Sequence, residues 1–199
     1  LELSPVSTLS QAMMSTVTAF LPRRHFTDLK ATLEDHIAFR DLPDLIRPDS
    51  VSALVELRRS TRTPLLVSEM LMTRYEYQPV LEARAADIVM VDPSWCGGIS
   101  EARKIGQMAE THNLPVTFHD CAGPINLFAG LHLALNAPNA MYQETVRAFI
   151  RTFYADLVTT NITIENGFGL PPKGPGLGTA LLPEVLQRHD ATVVVSAAA

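Results

Sequence analysis

Four ionisable side chains, Glu69, Asp92, His119 and Glu144, each close a short apolar run, at successive intervals of 23, 27 and 25 residues. The spacing gives them a shared chemistry only if the runs are neighbouring strands. Adjacent parallel strands lie about 4.8 Å apart, so an acid and a histidine at consecutive strand ends come within hydrogen-bond reach. A carboxylate on one imidazole nitrogen fixes the tautomer and raises the basicity of the other, which makes Asp92 and His119 a candidate general-base pair. Glu69, one strand earlier, is an oxygen donor of the kind a hard cation such as Mg²⁺ prefers. Glu144, one strand later, is placed to give a proton or hydrogen bond to a bound substrate. Together these groups suit removal of a proton next to a carboxylate, with a cation stabilising the enediolate.

The elements that must position them recur as strand-then-helix units. Residues 64–69 and 87–92 read as strands, as do 115–119 and, more weakly, 140–144. Helical spacing follows each: Tyr77 to Ala85 with Tyr77, Val80, Leu81 and Arg84 on one face, Ser100 to His112 with Ser100 as N-cap, Ile125 to Leu135 after Gly123-Pro124, and Ala148 to Leu157. Continuous apolar strands covered by helices predict an α/β protein with a parallel sheet. Both a (β/α) barrel and an open doubly wound sheet collect chemistry at the C-terminal ends of their strands, so this pattern alone fits either.

The chain has 199 residues, 47% hydrophobic and 19% charged, with a net charge of −5. That is enough to bury a core, and it offers neither nucleic acid nor anionic lipid a general attraction. Cys96 and Cys121 sit in no metal-binding spacing. With no apolar stretch of membrane-spanning length and no signal-peptide pattern, the reading is a cytoplasmic protein acting on a small molecule, without membrane or nucleic-acid partners. The sequence starts at Leu1, without Met, which points to a piece of a longer protein.

The segments LLVSE (65 to 69), DIVMVDPSWCGGISEARKI (87 to 105), VTFHDCAGP (116 to 124), LHLALNAPNAMYQE (131 to 144) and GPGLG (174 to 178) resemble the barrel domain of the mandelate racemase and muconate lactonizing enzyme family of the enolase superfamily. In order and spacing they are most like its acid-sugar (galactonate-type) dehydratases, over residues 44–189, with 1–43 a poorly matching N-terminal segment and 190–199 a tail. The resemblance implies a partial TIM (β/α) barrel, roughly the C-terminal half, lacking the N-terminal capping domain. It also implies Mg²⁺ as cofactor, a sugar acid as substrate, and loss of water from it after removal of the proton α to its carboxylate. In these terms Asp92 and His119 are the catalytic dyad, Glu144 the acid of the last strand and Glu69 a metal ligand. Counting back from the turn at 45–50 puts Pro43-Asp44 where the family has a Glu-Asp pair, and since proline offers no side-chain ligand, a shifted strand containing 37–39 would be needed to make Asp41 or Asp44 the second ligand. Arg74 and Trp95 are candidate substrate-binding residues, with surface exposure and helix packing as their alternative uses.

Two departures bear on activity. The family's first metal-binding acid and its lysine motif have no counterpart in the sequence, which holds only Lys30, Lys104 and Lys173. A catalytically inactive barrel fragment or assembly module therefore stands beside the lyase, and a 2-hydroxy-acid racemase is a further alternative. Unpaired edge strands of an incomplete barrel predict a homo-oligomer.

Overall fold

A computed structural model describes residues 47–194. Asp41, Asp44, the segment 1–43 and the end of the apolar tail lie outside the described residues. The order is α1 (Val51–Ser60), β1 (Leu66–Val67), α2 (Thr73–Glu82), β2 (Ile88–Val91), α3 (Ile99–Thr111), β3 (Val116–Phe118), α4 (Pro124–Asn136), β4 (Ala140–Gln143) and α5 (Arg147–Thr152). A 3₁₀ turn at Tyr154–Asp156, the hairpin strands β5 (Ile164–Glu165) and β6 (Phe168–Gly169), and α6 (Pro183–Leu186) complete it.

The first four strands form one parallel sheet in the order β1-β2-β3-β4, each joined to the next through a helix. This is the alternation the sequence predicts, and it follows from the apolar runs. Val67, Val89, Val91, Val116 and Phe118 are at most 1% exposed, packed against Tyr77, Val80 and Leu81 of α2 and Ala102, Ile105 and Ala109 of α3. Those helical positions recur every three or four residues, so a single stripe of each helix meets the sheet.

Several boundaries differ from the sequence reading, for identifiable reasons. The first strand keeps only Leu66–Val67, because its ladder with β2 ends at the Val67–Val89 pair. Helix α2 starts four residues earlier than its apolar stripe and carries Pro79. Helix α3 starts at Ile99, so its N-cap is Gly98, at φ +95°, and Ser100 lies inside the first turn. The predicted helix Ala148 to Leu157 is α5 followed by a separate 3₁₀ turn, with Phe153 between them.

Two polar groups tie the sheet to its helices. The Asp87 carboxylate accepts from Arg58 of α1 at 2.7 and 3.0 Å and from the Leu65 backbone N–H at 2.9 Å, which sets the start of β2 against β1. Burial works against the charge of Asp87, but these donors hold its pKa below the ordinary value. Beyond Val89, where β1 has stopped, the Tyr77 hydroxyl donates to the Met90 carbonyl at 2.7 Å in place of a strand partner. Tyr77→Phe leaves that buried carbonyl without this donor and is expected to cost about 1–3 kcal/mol. Urea unfolding of the two proteins checks it: the midpoint falls while the denaturant slope is unchanged.

Candidate active site

Register brings the chemistry together. Val91 of β2 pairs with Phe118 of β3, which pairs with Gln143 of β4, so the next residues along the three strands are Asp92, His119 and Glu144. The pairing of β3 with β4 shifts by one residue between Val116 and Thr117, where Ala140 and then Tyr142 are the partners. Without the extra residue Met141, Gln143 would stand opposite His119. The irregularity delivers a carboxylate there instead, a re-aiming typical of bulges beside functional groups.

Asp92 is fully buried and every one of its side-chain contacts is a donor. One oxygen takes the Ser94 backbone N–H at 2.7 Å and the Ser94 hydroxyl at 2.6 Å; the other lies 2.6 Å from His119 Nδ1. Burial opposes its charge, yet these hydrogen bonds from His119 and Ser94 keep its pKa below the usual carboxylate value. Asp92 is therefore an anion, and Nδ1 carries the proton of the shared hydrogen bond. The Asn126 amide locks the arrangement by accepting from the Ser94 N–H at 3.1 Å and donating to the His119 carbonyl at 3.2 Å.

This leaves His119 Nε2 as the working nitrogen. It lies 3.6 Å from Glu144 Oε2, a buried oxygen with no hydrogen-bond partner among the described residues. Burial disfavours the imidazolium, but the hydrogen bond to Asp92 and the charges of Glu144, Glu69 and Asp92 raise the His119 pKa overall. Glu144 moves the other way from Asp92: burial raises its pKa, against the pull of His119. A base held ready by a fixed anion beside an acid inclined to keep its proton can pass protons in either direction.

The other expected residues are less closely joined to this group. Glu69 follows β1 by two residues, half-buried, and accepts from the Ser68 hydroxyl at 3.1 Å. Arg74 is ion-paired with Glu101 of α3 at 2.7 Å and lies over the Tyr75 ring at 4.9 Å, so its charge serves the loop after β1. Trp95 is 41% exposed in the loop after β2. His132 bonds the Leu177 carbonyl at 3.0 Å, which fastens the 174–178 loop to α4. Cys96 is buried, Cys121 exposed, and both are free thiols.

Mg²⁺ takes near-octahedral oxygen ligands and is commonly bound through one or two carboxylates with several waters. Among the described residues no group of three or more His, Cys, Asp and Glu side chains is placed to hold a metal. Outside the dyad and Glu144, the carboxylates that follow the strands are Glu69 and Asp120, and Asp120 is buried against the Tyr154 hydroxyl, so the described residues do not by themselves fit the ion.

Sequence reasoning left out Ser94, Asn126, Asp120 and Tyr154. Ser94 carried a readable signal, since an Asp-x-Ser turn after a strand favours local bonds to the Asp carboxylate. Asp120 and Tyr154, 34 positions apart, carried none.

No helix among the described residues is long and apolar enough to cross a membrane. Residues 32–185 match the family described as enolase C-terminal domain-like. The chain is similar to a D-xylonate dehydratase of Haloferax volcanii, 30% identical over 161 residues, covering 81% of this chain and 39% of that protein. It is similar also to an arabinonate dehydratase of Saccharolobus solfataricus, 31% identical over 144 residues, covering 72% and 38%. A solved enolase of the mandelate racemase subgroup from Agrobacterium tumefaciens superposes with a TM-score of 0.66 at 46% identity, covering 71% of this chain and 38% of that one. The chain thus spans about two fifths of the length of the curated relatives it matches. With its parallel sheet, its strand-end acids and its match over most of its length, the chain belongs to the enolase C-terminal domain-like family.

Proposed function

We propose that the protein to which this chain contributes is a lyase that removes water from a sugar acid, with His119 as its proton-transfer residue. The observation that carries the reading is the pair of contacts on one imidazole: Asp92 at 2.6 Å on Nδ1, and Nε2 left for the substrate with Glu144 at 3.6 Å. Similarity to named sugar-acid dehydratases supports the substrate class.

In this reading Nε2 of neutral His119 takes the proton α to the carboxylate, and Asp92 stabilises the imidazolium. The hydroxyl on the neighbouring carbon then leaves as water, receiving a proton from His119 or Glu144. Abstraction and return of a proton by positioned groups of this kind contribute about 10²- to 10⁴-fold in rate. Arg74, in the first turn of α2, and Trp95, in the loop after β2, are proposed to touch the substrate, which for Arg74 means exchanging Glu101 for a substrate carboxylate. The test is dehydration of a panel of sugar acids by the 199-residue chain, followed by release of the 2-keto product.

The Mg²⁺ requirement belongs to the same proposal, with Glu69 as ligand and Asp44 as a further one. If it holds, millimolar Mg²⁺ raises the unfolding free energy, by about 2.7 kcal/mol for a Kd a hundredfold below the added concentration. Glu69→Gln is then expected to remove the rise; a rise that survives the substitution places the ion elsewhere. Assembly of several copies is proposed too, because Met70, Met72, Tyr75 and Trp95 stand 41% to 67% exposed around the loops after β1 and β2. Sedimentation velocity showing monomer alone counts against it.

A second reading, an inactive barrel portion that serves assembly, is favoured by the donor set: among the described residues no group of three or more His, Cys, Asp and Glu side chains could hold a metal ion. No turnover of any sugar acid in the presence of Mg²⁺ would support it.

A further inference from the structure

Gln143, the last residue of β4, turns its side chain back onto the strand ends. Its amide Nε2 donates to the Glu144 carbonyl at 2.8 Å and to the Phe118 carbonyl at 3.2 Å. The Phe118 carbonyl also accepts the Glu144 N–H at 2.8 Å, so one carbonyl at the end of β3 holds both Gln143 and Glu144. Two carbonyl partners require the NH₂ end of the amide, which fixes its orientation. Oε1 must then point away, and it is buried without a hydrogen-bond partner among the described residues. A buried amide oxygen left unpaired is costly, so its placement needs a reason.

Room for that oxygen comes from α4. Gly130 is buried in the middle of the helix, and a Cβ there would lie 2.5 Å from Gln143 Oε1, 3.0 Å from Nε2 and 3.1 Å from Cδ. No side chain fits at 130 while the Gln143 amide keeps its place, although glycine inside a helix is unfavourable relative to alanine. Two unfavourable features, an unpaired amide oxygen and a mid-helix glycine, thus meet at one contact. What they secure is the irregular end of the β3–β4 ladder. The Thr117 hydroxyl donates to the Tyr142 carbonyl at 2.8 Å just past the one-residue shift. Gln143 closes the ladder beyond it, and the next residue is Glu144, with Oε2 3.6 Å from His119 Nε2.

We propose that Gln143 is a positioning residue for Glu144: its amide clamps the Phe118 and Glu144 carbonyls, Gly130 leaves the space for the clamp, and the Glu144 carboxylate is thereby held opposite His119. The proposal rests on reading His119 and Glu144 as a proton-transfer pair, but both of its links can be measured without substrate. The titratable groups facing His119 are Asp92 from the end of β2, Glu144 from the end of β4, Glu69 after β1 and the neighbouring Asp120. Of these, Glu144 is the one whose backbone Gln143 holds.

The first link is tested by urea unfolding of a double-mutant cycle on Gly130→Ala and Gln143→Ala. In the native background Gly130→Ala is expected to lower the urea midpoint, because the new methyl displaces the amide. In the Gln143→Ala background it is expected to raise the midpoint, since the space is free and alanine favours the helix. A change of the same sign in both backgrounds overturns the fit between Gly130 and Gln143. The second link is read from an NMR titration of the His119 ring in the full chain, assigned by comparison with His119→Asn. Gln143→Leu, which keeps the bulk and deletes the amide, is expected to lower the His119 midpoint by about one pH unit, the size of effect that a nearby opposite charge exerts. In a Glu144→Gln background the same substitution is expected to leave the midpoint unmoved. An unchanged midpoint in a cooperatively folded Gln143→Leu protein overturns the positioning role and makes Gln143 a packing residue. A fall that persists with Glu144→Gln overturns the route through Glu144. If Gln143→Leu fails to fold, Gly130→Ala is titrated in its place; it must lower the midpoint, and an unchanged value overturns the role equally. Failure of every sugar acid to react would disprove the lyase reading while leaving both results as they are.

Discussion

His119→Asn is expected to lower sugar-acid dehydration by about 10²- to 10⁴-fold while the chain still unfolds cooperatively. Asparagine can still donate a hydrogen bond to Asp92 from its amide, so the buried carboxylate keeps a partner and the strand end keeps its shape. What it cannot do is accept a proton at the position of Nε2. The loss therefore belongs in kcat rather than in KM, and initial rates over a range of substrate concentrations separate the two. An activity that survives the substitution removes His119 from the mechanism, whatever its distance to Asp92. The pH profile adds a second check with a fixed sign. A raised His119 pKa means that free imidazole appears only at higher pH than for an ordinary histidine, so the acid limb of kcat lies above the usual value. Asp92→Asn removes the leading cause of that rise, and the limb is expected to move toward lower pH as the rate falls.

The strands and the dyad were legible because each rests on a local pattern. Residues 88–92 and 115–119 are continuous β-branched or apolar runs ended by one ionisable residue, and interior strands of a parallel sheet must look that way once both faces are covered. Glu144 was legible only as the end of the weakest run. Its alignment with His119 depends on the one-residue shift at Met141, and nothing in the run of residues 140–144 announces a bulge. Helix starts were misjudged where glycine did the capping. Gly98 and Gly123 precede α3 and α4 without a side-chain cap, and Ser100, the one side chain of capping type near the α3 start, lies inside its first turn. Gly123 at φ +138° shows what glycine supplies there: the chain turns from β3 into α4 through a conformation that other residues rarely adopt.

The support behind the site was the least legible part. Tyr154 reaches Asp120 from beyond β4 and α5, and Tyr77 reaches Met90 from the helix preceding its strand. Both are hydroxyls on buried rings, and a sequence gives an aromatic residue only as core. Which backbone or side-chain partner its polar end finds is decided by packing. Asn126 illustrates the same limit from the opposite side: a polar residue on the first turn of an apolar helix looks exposed, yet it is 8% exposed and bonded to both Ser94 and His119.

Asp120 is expected to make the stability of the chain depend on pH. Burial pushes its pKa up to about 6 from 3.8, although the hydrogen bond from Tyr154 pulls the other way. The folded chain therefore holds the Asp120 proton more tightly than the unfolded chain does, and stability falls as pH rises from about 4 to beyond about 6. At 1.36 kcal/mol per pH unit the difference between those two values corresponds to roughly 3 kcal/mol by pH 7. Asparagine does not titrate, so Asp120→Asn is free of this loss. Denaturant unfolding of both proteins at pH 4, 5, 6 and 7 is expected to show the variant gaining on the native chain by about that amount across the series. Asp92, His119 and Glu144 are present in both proteins, and their own shifts enter the difference only through their coupling to the Asp120 charge. A difference that stays constant with pH would mean that Asp120 titrates alike in the folded and unfolded chain, with the Tyr154 hydroxyl and the His119 charge together offsetting its burial.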